Sequence, residues 1–171
     1  MNQENLSRFV QLFTLNDAEA TQRVSERLAL ALQKPAAYQE QYAEELAERG
    51  IEAALPEQEL RDLALIDALM SEDLLWENEW KDTATEIAEG LNEILSTQKR
   101  GFVLPTGALA GGQRQGPEAL DLLQDTLETK GLALVLFTLD SDSYPLSVVA
   151  EDQVEHTRRL AKELGFELVV Y

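Results

Sequence analysis

Leu132-Ala-Leu-Val-Leu-Phe-Thr-Leu139 is an almost unbroken apolar run between a glycine and a polar turn. A run of this length, rich in branched residues, reads as a strand buried on both faces. It therefore demands cover from two sides, and that demand constrains everything around it. Asp140-Ser-Asp-Ser143 follows. Short polar side chains that bond back to their own backbone make this a hairpin turn. Tyr144 to Ala150 is the predicted return strand. Its Pro145 must lie near a strand start or at an unpaired position, because proline has no N–H to give.

Working outward from the hairpin gives a strand–helix–strand–strand–helix–strand order. Phe102-Val-Leu104 is read as a first strand, ended by Pro105. A glycine-rich loop, Thr106 to Gly116, leads to a helix with Leu120, Leu123 and Leu127 on one side. After the hairpin, Val154, Thr157, Ala161 and Leu164 mark a helix, and Phe166 to Val170 a final strand. This succession is the ferredoxin-like, split βαβ pattern. In its usual strand order Leu132–Leu139 would be an edge, and a long apolar edge invites aggregation. Leu74 to Trp80 alternates in the manner of a half-exposed strand, so it is placed beside that edge as an additional strand.

The first half reads as helical. Leu6, Phe9, Val10 and Phe13 recur at helical spacing, and so do Val24, Leu28 and Ala31. Pro35 and Pro56 suit first helical positions, and Gly50 suits a helix end. Thr83 and Glu86 have capping-box spacing. Gly90 lies inside that helix at a cost of about 1 kcal/mol against alanine, so a packing reason is expected. The expected architecture is one α+β domain, 1–171. Residues 1–72 form a mainly helical layer over the second face of the sheet, and 73–171 carry the sheet and its helices.

The chain carries 32 acidic and 14 basic residues, a formal charge of −18. Phosphate backbones and anionic membranes bind basic groups, so neither nucleic acid nor membrane is an expected partner. A basic protein is the complementary one. There is no cysteine, which removes disulfides, thiolate metal sites and cysteine nucleophiles. No basic and then apolar leader opens the sequence, and no apolar run is long enough to span a bilayer. A cytoplasmic location is expected.

Four features could carry function. Trp76, Glu77, Glu79, Trp80 and Asp82 interleave aromatic contact area with charge, as binding surfaces do. Gly111, Gly112 and Arg114 precede a helix, where anions are attracted, but their spacing matches no Walker or dinucleotide loop. With Asp140, Asp142 and Tyr144 they make an alternative ligand-binding set. Asp140 and Asp142 are too few for a calcium site. His156, the single histidine, has Asp152 nearby but no second histidine or cysteine for zinc. No catalytic residue, metal or cofactor is expected.

The segments Leu75-Trp-Glu-Asn-Glu-Trp-Lys-Asp82, Asp140-Ser-Asp-Ser-Tyr-Pro-Leu146 and Leu160-Ala-Lys-Glu-Leu-Gly165 resemble a bacterial family known only as a domain of unknown function. The resemblance covers about residues 57–171. It implies the fold and a bacterial cytosolic origin, and it brings no catalytic residues. The leading expectation is a non-enzymatic acidic protein-binding module, such as an immunity-type or regulatory antagonist of a basic protein. The alternatives are a small-molecule-binding regulatory domain and, last, a metal-dependent hydrolase using Asp140, Asp142 and His156.

Overall fold

Strand β2, Leu132–Phe137, sends its side chains into two separate cores. Ala133, Val135 and Phe137 pack with the N-terminal helices, while Leu132 and Leu134 pack with a second group. Alternation across a pleated strand with both faces covered is what produces the continuous apolar run. The computed structural model describes residues 2–106, 109–139 and 143–171. Asp140, Ser141 and Asp142, and with them the expected hairpin turn, lie outside the described residues.

The first core is built by α1 (Gln3–Thr14), α2 (Ala18–Gln33), α3 (Pro35–Gln41), α4 (Ala43–Glu48) and α5 (Glu57–Ser71). Helix α8 (Val154–Leu164) joins them through Leu160, Ala161 and Leu164. Phe9 anchors this layer, touching Phe13 edge-on and stacking on Phe166 at 5.4 Å. Each such side chain, fully buried, contributes about 1.5–3 kcal/mol. The opposite core is built by α6 (Ala84–Thr97) and α7 (Gly116–Glu128), again with leucines at helical spacing. Thr83 and Glu86 form the expected capping box at the start of α6.

Strands β1 (Trp76–Glu79), β3 (Ser143–Ala150) and β4 (Leu168–Val170) complete a four-stranded sheet of order β1-β3-β2-β4. Every neighbouring pair is antiparallel. The chain is thus a mixed α+β structure with helices on both faces of the sheet.

Two sequence expectations change. Phe102–Leu104 is not a strand. Asn92 of α6 takes its place as a partner: its side chain accepts from the Leu104 amide at 2.7 Å and donates to the Leu104 carbonyl at 3.1 Å. Those groups are satisfied without a ladder, and Val103 is left 70% exposed. Leu74–Trp80 does supply a strand, but beside β3 rather than beside β2. Strand β2 is central, with β3 on one side and β4 on the other, so it needs no extra cover along its edge. From Trp76–Glu79 onward the order is a strand, the two helices α6 and α7, two strands, helix α8 and a last strand, one helix more than the expected succession.

A candidate binding edge at strand β1

Trp76, Glu77, Asn78 and Glu79 stand opposite Leu146, Pro145, Tyr144 and Ser143. Proline cannot donate, so the Glu77–Pro145 pair is of the non-hydrogen-bonded kind. The N–H and C=O of Glu77 consequently turn to the outer edge of the sheet. Among the described residues no strand pairs with that edge.

The side chains of β1 separate by face. Trp76 and Asn78 lie toward α6, Glu77 and Glu79 away from it. Asn78 is 2% exposed and donates to the carbonyls of Trp76 at 3.2 Å and Tyr144 at 3.3 Å. It locks β1 to β3 from within. Trp76 is 45% exposed and Trp80, just past the strand, is 54% exposed. Two half-open indoles therefore flank the outward backbone groups of Glu77.

The acidic residues divide differently from the sequence expectation. Glu77 is held by Arg49 at 3.1 Å, and Arg49 also grips Asp67 at 2.6 Å. Burial pushes the Asp67 carboxyl up, against the pull of Arg49. Glu77 is thereby committed to tying β1 to α4 and α5, and it is not available to steer a partner. The Asp82 carboxylate accepts from the Glu79 amide at 2.9 Å, while the Asp82 amide donates to the Glu79 carbonyl at 3.0 Å. Asp82 closes the turn after the strand. Glu79, paired among the described residues with the exposed Lys81 at 3.2 Å, remains open to solvent.

The glycine loop has a structural task. Carbonyls of Arg114 and Gly112 accept from the amides of Ala84 and Thr85 at 2.9 and 3.0 Å. These are first-turn amides of α6 that lack partners inside the helix. Gln115 Nε2 also donates to the Lys81 carbonyl at 2.5 Å. Toward this helix the loop offers oxygens, the reverse of a phosphate cradle. A groove of about 640 Å³ runs beside it, lined by Gly111, Gly112, Gln113 and Arg114. Tyr144 sits half-buried on β3 opposite Asn78. Asp140 and Asp142, the rest of the alternative set, lie outside the described residues. Among the described residues no group of three or more acidic or histidine side chains could hold a metal ion.

His156 lies elsewhere, on α8 near the C-terminal end of α1. Asp152, near it in sequence, is exposed. Nor does any helix among the described residues have the length and apolarity to cross a membrane.

A family model with the description "Domain of unknown function (DUF6630)" matches residues 5–171. The chain belongs to this family. The DUF6630 match begins within α1, so the N-terminal helices, which the sequence resemblance left out, are part of it. No curated protein and no solved structure matches the chain. In this DUF6630 chain the residues that sequence reasoning missed are Arg49 and Asn78, while Pro145 was placed in the return strand but not linked to the edge. Arg49 meets Glu77 only through the tertiary fold. Pro145 offered the one local signal, since a proline inside a strand dictates which residues of its neighbour face outward.

Proposed function

We propose that this protein is a non-enzymatic, acidic protein-binding module that takes up an extended segment of a basic protein along the free edge of β1. The observation that carries the reading is the outward backbone of Glu77 between the half-exposed Trp76 and Trp80. An exposed strand edge gives main-chain hydrogen bonds to an added strand, and tryptophans are favoured anchors. The formal charge of −18 favours a basic partner and speeds its encounter.

In its concrete form the module is an immunity-type or regulatory antagonist in the bacterial cytoplasm. Its sheet is a variant of the ferredoxin-like plan, a reading supported by the place of β3 between β1 and β2. An antagonist of this kind works by occupying a basic surface that its target needs for another contact.

The test is capture of basic proteins from cells of the native organism by wild type, by Trp80→Ala and by Glu79→Lys. Both positions are exposed, so stability should change by no more than about 0.5 kcal/mol. Loss of an anchoring tryptophan should weaken a specific partner by about 2 kcal/mol or more, roughly thirtyfold. Glu79→Lys should slow association and flatten its salt dependence. Equal recovery of the same partners by all three proteins contradicts the reading.

A further inference from the structure

The sheet has a second open edge, at β4. The Tyr171 amide donates to the Leu134 carbonyl at 2.9 Å, and the Thr138 amide to the Glu167 carbonyl at 3.3 Å. Those bonds fix the alternation of the ladder. Val169 turns its backbone to Leu136 of β2, while Leu168 and Val170 turn theirs outward. Arg158 donates to the outward Val170 carbonyl at 2.6 Å. Among the described residues no strand pairs with the outer side of β4, so the N–H and C=O of Leu168 face away from the sheet. Leu168 and Val170 pack toward the N-terminal helices. Val169 therefore points to the opposite face, the one that carries Trp76, and it is 53% exposed. Helix α8 packs against β4 and presents Arg158, Arg159 and Lys162 to solvent. Lys162 lies one turn from Arg158, on the side of β4. Arg61 reaches the Gly165 carbonyl at 3.4 Å. Among the described residues neither Lys162 nor Arg61 forms an ion pair. This edge is thus locally basic in a chain of charge −18.

We infer that the β4 edge takes up the β1 edge of a second copy, head to tail. Three antiparallel steps separate β1 from β4. A second copy's β1, laid beside β4 with the faces of the sheet continuous, therefore runs antiparallel to it. Glu77 of the second copy and Leu168 then exchange both backbone hydrogen bonds. That register sets the incoming Trp76 directly opposite Val169, indole against the exposed valine. It sets the incoming Glu79 opposite Phe166, on the face that carries α8, close to Lys162 and Arg61. The symmetric pairings lose this match. Two β1 edges oppose glutamates, two β4 edges oppose Arg158 and Lys162, and like charges directly opposite destabilise. The contact is small, and the net charges repel, so it belongs to the weak class of interfaces. A head-to-tail pair leaves one edge of each kind free, so association can continue beyond two copies. The inference rests on the open β1 edge of the proposed function but not on a basic partner, and the two occupants exclude one another at β1.

The test uses the purified full chain alone, in sedimentation velocity at concentrations up to about 1 mM. Wild type should self-associate reversibly. The amides of Leu168 and Glu77 should gain protection from hydrogen exchange together as concentration rises. Val169→Glu puts a carboxylate where the incoming indole rests. Glu79→Lys turns a cation toward Lys162 and Arg61. Both positions are exposed, and unchanged urea midpoints check that both variants fold. Each variant alone should associate about tenfold more weakly or worse. Mixed in equal amounts they should recover the wild-type affinity as a one-to-one pair that grows no further. The intact β1 of Val169→Glu then meets the intact β4 of Glu79→Lys. A wild type that stays monomeric, full self-association by either variant, or a mixture no stronger than its parts overturns the inference. Val169→Glu leaves β1 unchanged and should still capture basic proteins. Failure of wild type to capture them while this pairing persists contradicts the proposed function alone.

Discussion

The indole of Trp76 lies on the bare backbone of Gly90. A Cβ at that glycine would come within 2.5 Å of Cγ and Cδ1 of the ring. The helix gives up propensity at one position so that the edge strand can sit close to it, and an aromatic ring is held half-open at the sheet edge.

Gly90→Ala should therefore displace Trp76. The gain of about 1 kcal/mol in helix propensity is offset by lost ring packing, so the thermal midpoint should not rise. In a Trp80→Phe background the remaining tryptophan emission should shift to the red. An unshifted spectrum with a higher midpoint would show that the ring does not depend on the missing side chain.

Gly112→Ala should destabilise the chain by about 1–3 kcal/mol. A Cβ there would strike Thr85 Oγ1 and stand 3.0 Å from the Leu109 carbonyl. The loop would have to move, and the carbonyls that satisfy the first turn of α6 would move with it. Adding Thr85→Ala should recover part of the loss, since contacting residues are not additive. Urea unfolding of the two single variants and the double variant measures this.

Asp62 carries a pH dependence of definite sign. Burial pushes its carboxyl above the ordinary range, although Gln58 Nε2 at 3.0 Å and the Glu167 amide at 2.9 Å donate to it. The folded state then holds the proton more tightly than the unfolded state. Its contribution is most favourable below the unfolded value and declines as pH rises to and through the folded value. The stability difference between wild type and Asp62→Asn should fall across that interval and be flat above it. Urea midpoints at a series of pH values give the difference; a slope of the opposite sign would contradict the assignment.

Lys99 ends α6 with φ 57° on an exposed position, while the Arg100 amide bonds back to the Leu95 carbonyl at 3.0 Å. This is the helix-end position that glycine fills without steric cost. Lys99→Gly should raise stability by about 0.5–1 kcal/mol, read as a higher urea midpoint at unchanged slope.

Local chemistry made much of this fold legible. Thr83 with Glu86 announced a capping box, Gly50 announced a helix end, and the run from Leu132 announced a strand needing two covers. What could not be read was decided by distant partners. Phe102–Leu104 looks like a strand, but Asn92 satisfies Leu104 in place of a neighbour. Strand order depended on which edges met, and β1 found β3. The candidate site was legible as a segment, since Trp76 and Trp80 do stand at an open edge. The roles of Glu77 and Asp82 were not, because Arg49 and the Glu79 amide claim them only after folding.

Amide hydrogen exchange at Glu77 tests the central claim most directly. In the free protein this N–H faces outward, with no strand among the described residues beside it, and should exchange quickly. In the complex with a captured basic protein, strand addition should slow it strongly, and the protection should disappear with the complex in Trp80→Ala. Rapid exchange at Glu77 in the bound state, with protection appearing on another surface, would show that β1 is not the binding edge.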